Sequence, residues 1–333
     1  MPALRFVAYD HLGVIPNVVV DGSPTASTRL TLSHWPGSPT PVDLLDDLSA
    51  QIAFHALDRP ALLDGIEAVS NNHFDQDGLM SAYALLEPEA ATARRDLVID
   101  VASAGDFATF RDRTAMRIAM AIAAFDDPRR SPLPAAVFED GYEAQCAALY
   151  EALLPRCTEL LDDPESVRSL WEDEDAHLTD SLDAIDLGTV SLREEPDLDL
   201  AVCVVPDAWA QRAATRFTIA RSGALHPAAL PNRTTCMRLL VSHGGEHRLE
   251  CRYETWVMYR SRALAPRPDL RPLAARLDEL EGRATWHADG PGGLTPALAP
   301  QHGTDLPFEQ FADEVRRFLA TAAPAWDPFA TAV

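Results

Sequence analysis

The 333-residue chain has no lysine, and all 28 of its basic side chains are arginine. Every cationic side-chain contact other than a histidine's must therefore come from a guanidinium, a planar fork suited to carboxylate and phosphate. Cysteine is scarce as well. The five cysteines (Cys146, Cys157, Cys203, Cys236, Cys251) form no CxxC pair and are odd in number, which argues against a disulfide framework and against zinc-thiolate chemistry, and fits reduced thiols. No apolar run approaches the ~18 residues of a membrane span, and the opening MPALRFVAYDHLG lacks a basic region followed by an apolar one. The expectation is a cytoplasmic protein with no membrane partner.

Positive charge is short overall and unevenly placed. The formal net charge is −23; residues 1–200 carry 37 Asp and Glu against 13 Arg, whereas residues 201–333 carry 14 against 15. So acidic a first part repels a long polyanion, which excludes broad duplex nucleic-acid binding. A small phosphorylated ligand needs only local positive charge from a metal and a few arginines, and remains compatible. The length suits two domains, or one with a large elaboration.

In the first third, short apolar runs alternate with helical periodicity. NVVVDG (17–22), RLTLSH (29–34), GIEAVSNNH (65–73) and DLVIDVAS (96–103) read as buried strands. Residues 41–59, 78–94 and 113–125 read as helices, with Pro88 ending or kinking the second. This alternation predicts an α/β domain over residues 1–135, with a mostly parallel sheet and covering helices. Residues 136–186 read as an acidic helical connector ending in WEDEDAHLTDSLDAID, a solvated face. Residues 187–333 read as a smaller α+β domain with a terminal helix at PFEQFADEVRRFLATAA, and Gly244–Gly245 as a hairpin turn.

The chemistry is concentrated in HFDQDG, residues 73–78. His73, Asp75 and Asp77 alternate, so an extended strand end projects them from one side, and Gly78 lets the backbone turn into a helix. One alternative is a polar turn in which Asp77 or Ser81 only caps that helix. A calcium loop fails, because Ala84 stands where its bidentate glutamate belongs. Further ligand types close the other predicted strands: Asp21 after VVV, His34 after LTLS, and Asp100 or Asp106 at or beyond LVID. In an open parallel sheet the carboxyl ends of the strands line one crevice, the usual ligand site of that architecture. Carboxylates with one or two imidazoles suit Mn²⁺ or Mg²⁺ rather than thiophilic metals.

HFDQDGLMSAYAL resembles the first motif of the DHH phosphoesterase superfamily, in which a His and two Asp end a strand and glycine precedes a Ser-Ala-containing helix. VVVDG resembles the second motif and LSHWPGSPTP a weakened third, but both precede the first, so the order resembles that of a circularly permuted or divergent relative in an uncharacterised bacterial family. Three positions depart from the pattern: Ser33 stands for an aspartate, Trp35 for a histidine and Ser38 for an asparagine. The resemblance implies two Mn²⁺ (or Mg²⁺) ions, one on His73 and Asp75, the other on Asp77 and His34, with Asp21 bridging. Asp106 corresponds to the fourth aspartate, with Asp100 as the rival assignment, and Asp21, His34 and Asp77 are the residues expected at the chemistry.

Arginines of the last third are the candidate phosphate ligands. Arg252, Arg260 and Arg262 share parity if CRYETWVMYRSR is a strand, and Arg233 lies on a loop. The alternative is arginines facing solvent and alternating with buried Tyr253, Trp256 and Tyr259. Trp35 reads as an aromatic packed under the Pro36–Gly37 turn, and His55 as a core histidine. The expected function is metal-dependent hydrolysis of a small, nucleotide-like phosphoester or phosphoanhydride by metal-activated water. The alternatives are a catalytically lapsed nucleotide- or metal-binding protein, which SHWPGS favours, and an interaction protein using the acidic connector.

Overall fold

The computed structural model describes residues 4–209, 224–282 and 284–330. Four short strands, β1 (Arg5–Phe6), β2 (Asn17–Val20), β3 (Thr28–Leu32) and β4 (Ala68–Ser70), form a wholly parallel sheet in the order β1-β4-β2-β3. β2 reads NVVV and all four residues are buried. It lies between β4 and β3 with both faces covered, the environment in which a strand drops its polar alternation. After β3 comes α1 (Ser49–Leu57), and after β4 come α2 (Gln76–Leu86), α3 (Pro88–Thr92), α4 (Arg95–Asp106) and α5 (Arg113–Asp126). α1 packs on α2, α2 on α4 and α4 on α5.

Two expectations for this half need correction. DLVIDVAS is not a strand but the body of α4. Its run of Leu, Val and Ile has strand propensity, yet Val98, Val101, Ala102 and Gly105 are buried at helical spacing. Packing against α2 and α5 overrides local preference. Gly105 makes that packing close, since a Cβ there would stand 2.5 Å from the Cβ of Gln76 on α2. The helix expected over 41–59 starts only at Ser49; the residues before it loop back to β3, where Thr40 Oγ1 accepts from Ser33 N and donates to Ser33 O, both at 2.8 Å.

α6 (Tyr142–Leu153), α7 (Cys157–Asp162) and α8 (Glu172–Asp186) follow. The acidic run on α8 is a solvated face only in part: Glu172, Asp173, Asp180, Asp183 and Asp186 are exposed. Glu174, Asp175 and His177 are buried; Arg113 Nε and Arg117 Nη2 of α5 reach Asp175 at 2.6 and 3.1 Å, and Arg130 reaches Glu174 at 3.4 Å. These two buried charges dock α8 on α5 and on the segment that follows it.

β5 (Ser191–Glu195), β6 (Leu200–Val205), β7 (Arg238–His243), β8 (Glu246–Cys251), a short β9 (Arg267–Pro268), α9 (Arg271–Glu281), β10 (Trp286–Ala288), β11 (Ala297–Pro300), α10 (Phe308–Leu319) and β12 (Pro324–Trp326) complete the chain. A mixed sheet of order β10-β11-β8-β7-β6-β5 is parallel only between β6 and β7, and β9 pairs with β12 apart from it. The hairpin lies where the sequence predicts it, with Gly244 and Gly245 at φ 58° and 76°, both in the left-handed region such a turn requires. This second sheet has six strands to the first sheet's four.

β6 shows how the two halves meet. Leu200 and Val202 face a core built with α9 and α10, whereas Ala201, Cys203 and Val205 face the larger core that also holds Val18, Leu149 and Leu178. Period-two alternation thus sends one strand's side chains into two cores, and the larger core runs through residues 135 and 186 without a break.

RYETWVMYR also departs from expectation. The chain leaves the sheet after Cys251, forms a 3₁₀ turn at Tyr253–Thr255 and crosses to the first sheet. There Met258 N donates to His34 O at 2.9 Å, while Arg260 N and Ser261 N donate to Asp47 Oδ1 at 2.5 and 2.9 Å. The parity argument for Arg252, Arg260 and Arg262 fails with the strand. Among the described residues, no helix is long and apolar enough to cross a membrane.

Candidate metal centre

The carboxyl ends of β2, β3 and β4 deliver the acids and imidazoles to one crevice. Asp21 follows β2 with φ 45°, a left-handed conformation that Asp and Asn tolerate better than most residues. His34 lies just beyond β3, and His73 and Asp75 lie in the turn between β4 and α2. Two glycines permit the close approach. A Cβ on Gly22 would fall 2.1 Å from Asn72 Oδ1, and one on Gly78 would fall 2.3 Å from Asn71 Nδ2 and 2.6 Å from the Tyr150 hydroxyl.

Capping and clustering coexist. Asp75, rather than Asp77 or Ser81, caps α2, its Oδ1 accepting from Gly78 N at 2.8 Å. Asp77 instead accepts from Ser49 N and Ala50 N, each at 2.7 Å, and so places a carboxylate on the positive N-terminus of α1. Ser49 Oγ donates to Asp21 Oδ1 at 2.8 Å, joining β2 to the same helix end.

His34 is the centre of the geometry. Its Nδ1 lies 2.5 Å from the carbonyl oxygen of Asp47, and because a carbonyl can only accept, Nδ1 carries the proton. Nε2 then faces Asp21 Oδ1 at 3.4 Å, Asp106 Oδ2 at 3.4 Å and Asp77 Oδ2 at 3.9 Å. Neither His34 Nε2 nor Asp106 Oδ2 has a hydrogen-bond partner among the described residues, and both are buried. In the neutral ring a lone pair thus points at three carboxylates, and a cation between them, or a proton on Nε2 or on one of the carboxylates, removes the repulsion.

His73 closes the solvent side. Its Nε2 lies 2.8 Å from Asp75 Oδ2 and 3.2 Å from Asp21 Oδ2, and the His73 and Asp75 side chains keep 16% and 32% of their surface exposed. Asp21, His34 and Asp77 form one possible metal-binding triad, and Asp21, His73 and Asp75 another. In each, one ligand atom per residue lies within 4.8 Å of the others, and Asp21 belongs to both.

Asp106 joins from the C-terminal end of α4, not from a strand end. Asp100 does not join. Its carboxylate accepts from Arg111 N at 2.9 Å and Asp112 N at 2.7 Å, closing the turn into α5.

Burial and mutual repulsion dominate the electrostatics. Burial first, then the charges of Asp21 and Asp75, hold the Asp77 carboxyl well above its ordinary range. Asp106 is pushed well up by burial and then by Asp75, Asp77, Asp21 and Glu254. Asp21 is raised by burial and Asp75, partly offset by His73. Burial would raise Asp75, but the charge and hydrogen bond of His73 and the Gly78 amide outweigh it and bring it down. Burial likewise opposes the charged form of His73, which Asp75 and Asp21 nonetheless stabilise, well above its usual value.

The four candidate phosphate arginines have other partners. Arg233 forms a fork with Asp186, its Nε and Nη2 each 2.6 Å from a carboxylate oxygen. Arg252 is buried against Glu254 and donates to Thr234 O at 3.1 Å. Arg260 places its guanidinium 5.9 Å from the ring of Phe329, and Arg262 donates to Thr235 O. Arg252 and Arg262 instead line a cleft of about 290 Å³ beside Asp47, Phe107 and Tyr259.

Several residues of the surroundings carry no signal in the sequence. Asp47 orients His34 through its carbonyl and receives the 260–261 backbone through its carboxylate. Glu254 and Tyr253 come from the crossing loop, the latter with its ring 6.0 Å from His34. Trp35 does not simply pack under its turn: its ring lies 5.0 Å from His73 and 5.7 Å from Trp256.

Residues 2–330 match a family described as "Family of unknown function (DUF6687)". No curated protein and no solved structure matches the chain.

Proposed function

We propose that this chain, which belongs to the DUF6687 family, is a metal-dependent hydrolase of a small phosphoester or phosphoanhydride, a divergent or circularly permuted relative of the DHH phosphoesterases. The observation that carries the metal reading is the buried His34 Nε2, its tautomer fixed by the Asp47 carbonyl and its lone pair aimed at Asp21, Asp77 and Asp106. A backbone carbonyl holding the far nitrogen of an imidazole is the usual support behind a metal-ligating histidine. The two triads sharing Asp21 support two ions, and the oxygen-rich donor set favours Mn²⁺ or Mg²⁺.

Bound there, divalent ions would supply a water of lowered pKa and charge to stabilise phosphoryl oxygens. The chain's own residues do the rest. Asp21 would serve both sites; His34, Asp77 and Asp106 would hold the inner ion, His73 and Asp75 the outer one. Ser49 Oγ and the first amides of α1 orient Asp21 and Asp77. His73 is charged in the metal-free cluster, so loading it requires the loss of its proton. Substrate reaches the cluster past the exposed edges of His73 and Asp75.

The test is turnover of a panel of phosphomonoesters, phosphodiesters and pyrophosphate with Mn²⁺, alongside Asp21→Asn, whose side chain suits the left-handed backbone. We expect hydrolysis that disappears with chelator and falls at least a hundredfold in Asp21→Asn. Mn²⁺-dependent phosphate binding with no hydrolysis across the panel would favour the lapsed binder, a reading supported by Trp35 and by the arginines' other engagements. No Mn²⁺ binding would refute both.

A further inference from the structure

We infer that Trp35 and Trp256 form a stacking corner that selects substrates whose phosphoryl group carries a flat aromatic substituent. This rests on the hydrolase reading and goes beyond it by naming what the organic half of the substrate must be. Trp35 stands at the carboxyl end of β3, immediately after His34, and its indole lies 5.0 Å from the His73 ring at 33°. Trp256 comes from the crossing loop and meets Trp35 nearly edge-on, at 5.7 Å and 71°. Both tryptophans are only partly buried, and Trp35 borders His73, which with Asp75 forms the cluster's exposed edge.

Trp256 is held in place from behind. It stacks on Tyr253 at 5.6 Å and 22°, its Nε1 donates to Gly292 O at 3.0 Å, and its carbonyl accepts from Trp326 Nε1 at 3.4 Å. A rigid indole beside a phosphate site offers apolar area with little ordering cost. The charge distribution points the same way. With Arg233 paired to Asp186, Arg252 to Glu254 and Arg262 bonded to Thr235 O, fork-like capture of phosphate by these three gives way to metal charge for the phosphoryl group and stacking for its substituent. Stacking of one ring on such a surface changes affinity by about tenfold or more.

Phenylphosphonate and methylphosphonate separate the two contributions, because they share a headgroup that water cannot cleave and differ only in the ring. Binding of each to the Mn²⁺-loaded protein is measured by calorimetry. Wild type should bind phenylphosphonate about tenfold more tightly. Trp35→Leu and Trp256→Leu should lose most of that preference while binding methylphosphonate and Mn²⁺ as before, and Trp35→Phe should keep part of it, which separates stacking from a general loss of fold. Equal wild-type affinities, or a preference that survives both leucine variants, would overturn the corner and leave the hydrolase reading intact. If Mn²⁺ binds and neither phosphonate does, the phosphoryl reading fails and the corner fails with it.

Discussion

Two buried charged groups in this molecule are settled in opposite ways. In the C-terminal half, Arg267 is enclosed with no carboxylate among the described residues on its guanidinium, yet its donors find the carbonyls of Pro291, Gly293, Leu294 and Arg252 and the hydroxyl of Thr255. Burial lowers its pKa only to about 10, so it stays charged at neutral pH. At the carboxyl ends of the first sheet, His34 Nε2 and Asp106 Oδ2 lie 3.4 Å apart with no hydrogen bond between them, and their neighbours repel one another. The first arrangement is complete as it stands and reads as a staple between loops. The second is complete only once a cation or an added proton enters it, and that difference, more than the number of acids, marks it as a candidate site.

The largest effect expected from this contrast is structural. Arg267→Met should leave four carbonyls, that of Arg252 buried and three at the loop only partly so, without their donor and cost about 3 kcal/mol of stability in a denaturant titration. The rise in melting temperature on adding Mn²⁺ should persist. A lost Mn²⁺ response at retained fold would mean that the staple belongs to the site, and the contrast would fail.

Asp106→Asn should behave in the opposite sense. Replacing a buried, repelled carboxylate with a neutral isostere should stabilise the metal-free protein, by about 1 kcal/mol, while shrinking the Mn²⁺-induced rise in melting temperature. A loss of metal-free stability would show that Asp106 is a satisfied structural acid.

The smallest effect is on pH. Asp77, Asp106 and His73 all have folded values raised well above ordinary ones, so the folded state binds their protons more tightly than the unfolded chain. Their contribution is full below the unfolded values and is lost as pH rises through the folded ones. His226, lowered by burial, works the other way on the acid side, so the comparison belongs between about pH 7 and 8.5, above its titration. The metal-free melting temperature should fall across that interval, and saturating Mn²⁺ should flatten or reverse the slope. A flat metal-free profile would mean that these groups do not titrate as a repelling set.

The sheet edge was legible because two signals coincide there. VVV, LTL and AVS are short runs with no helical period, and each is followed by Asp, His or the HFDQDG turn. A buried parallel strand must end where polar groups can reach a crevice, so the run and its terminal ligand can be read together. Asp106 could not be placed the same way, because LVID has the local preference of a strand and only its neighbours make it a helix. The arginines misled for a related reason. Parity within CRYETWVMYRSR assumes a strand, but the amides of 258–261 find better acceptors in His34 O and Asp47 than in a neighbouring strand.

By itself the sequence determined most of the site's ligand types, because strand periodicity and the residues that end each run are local properties of the chain; it did not determine that Asp77 stands in the first turn of α2 rather than with His73 and Asp75 on an extended strand end. The tertiary structure alone decided which charges are left uncompensated. Asp47, Glu254 and the end of α4 arrive from segments far apart in sequence, and whether a carboxylate meets an arginine, as Asp175 does, or another carboxylate, as Asp106 does, depends on burial and on partners that no local pattern records.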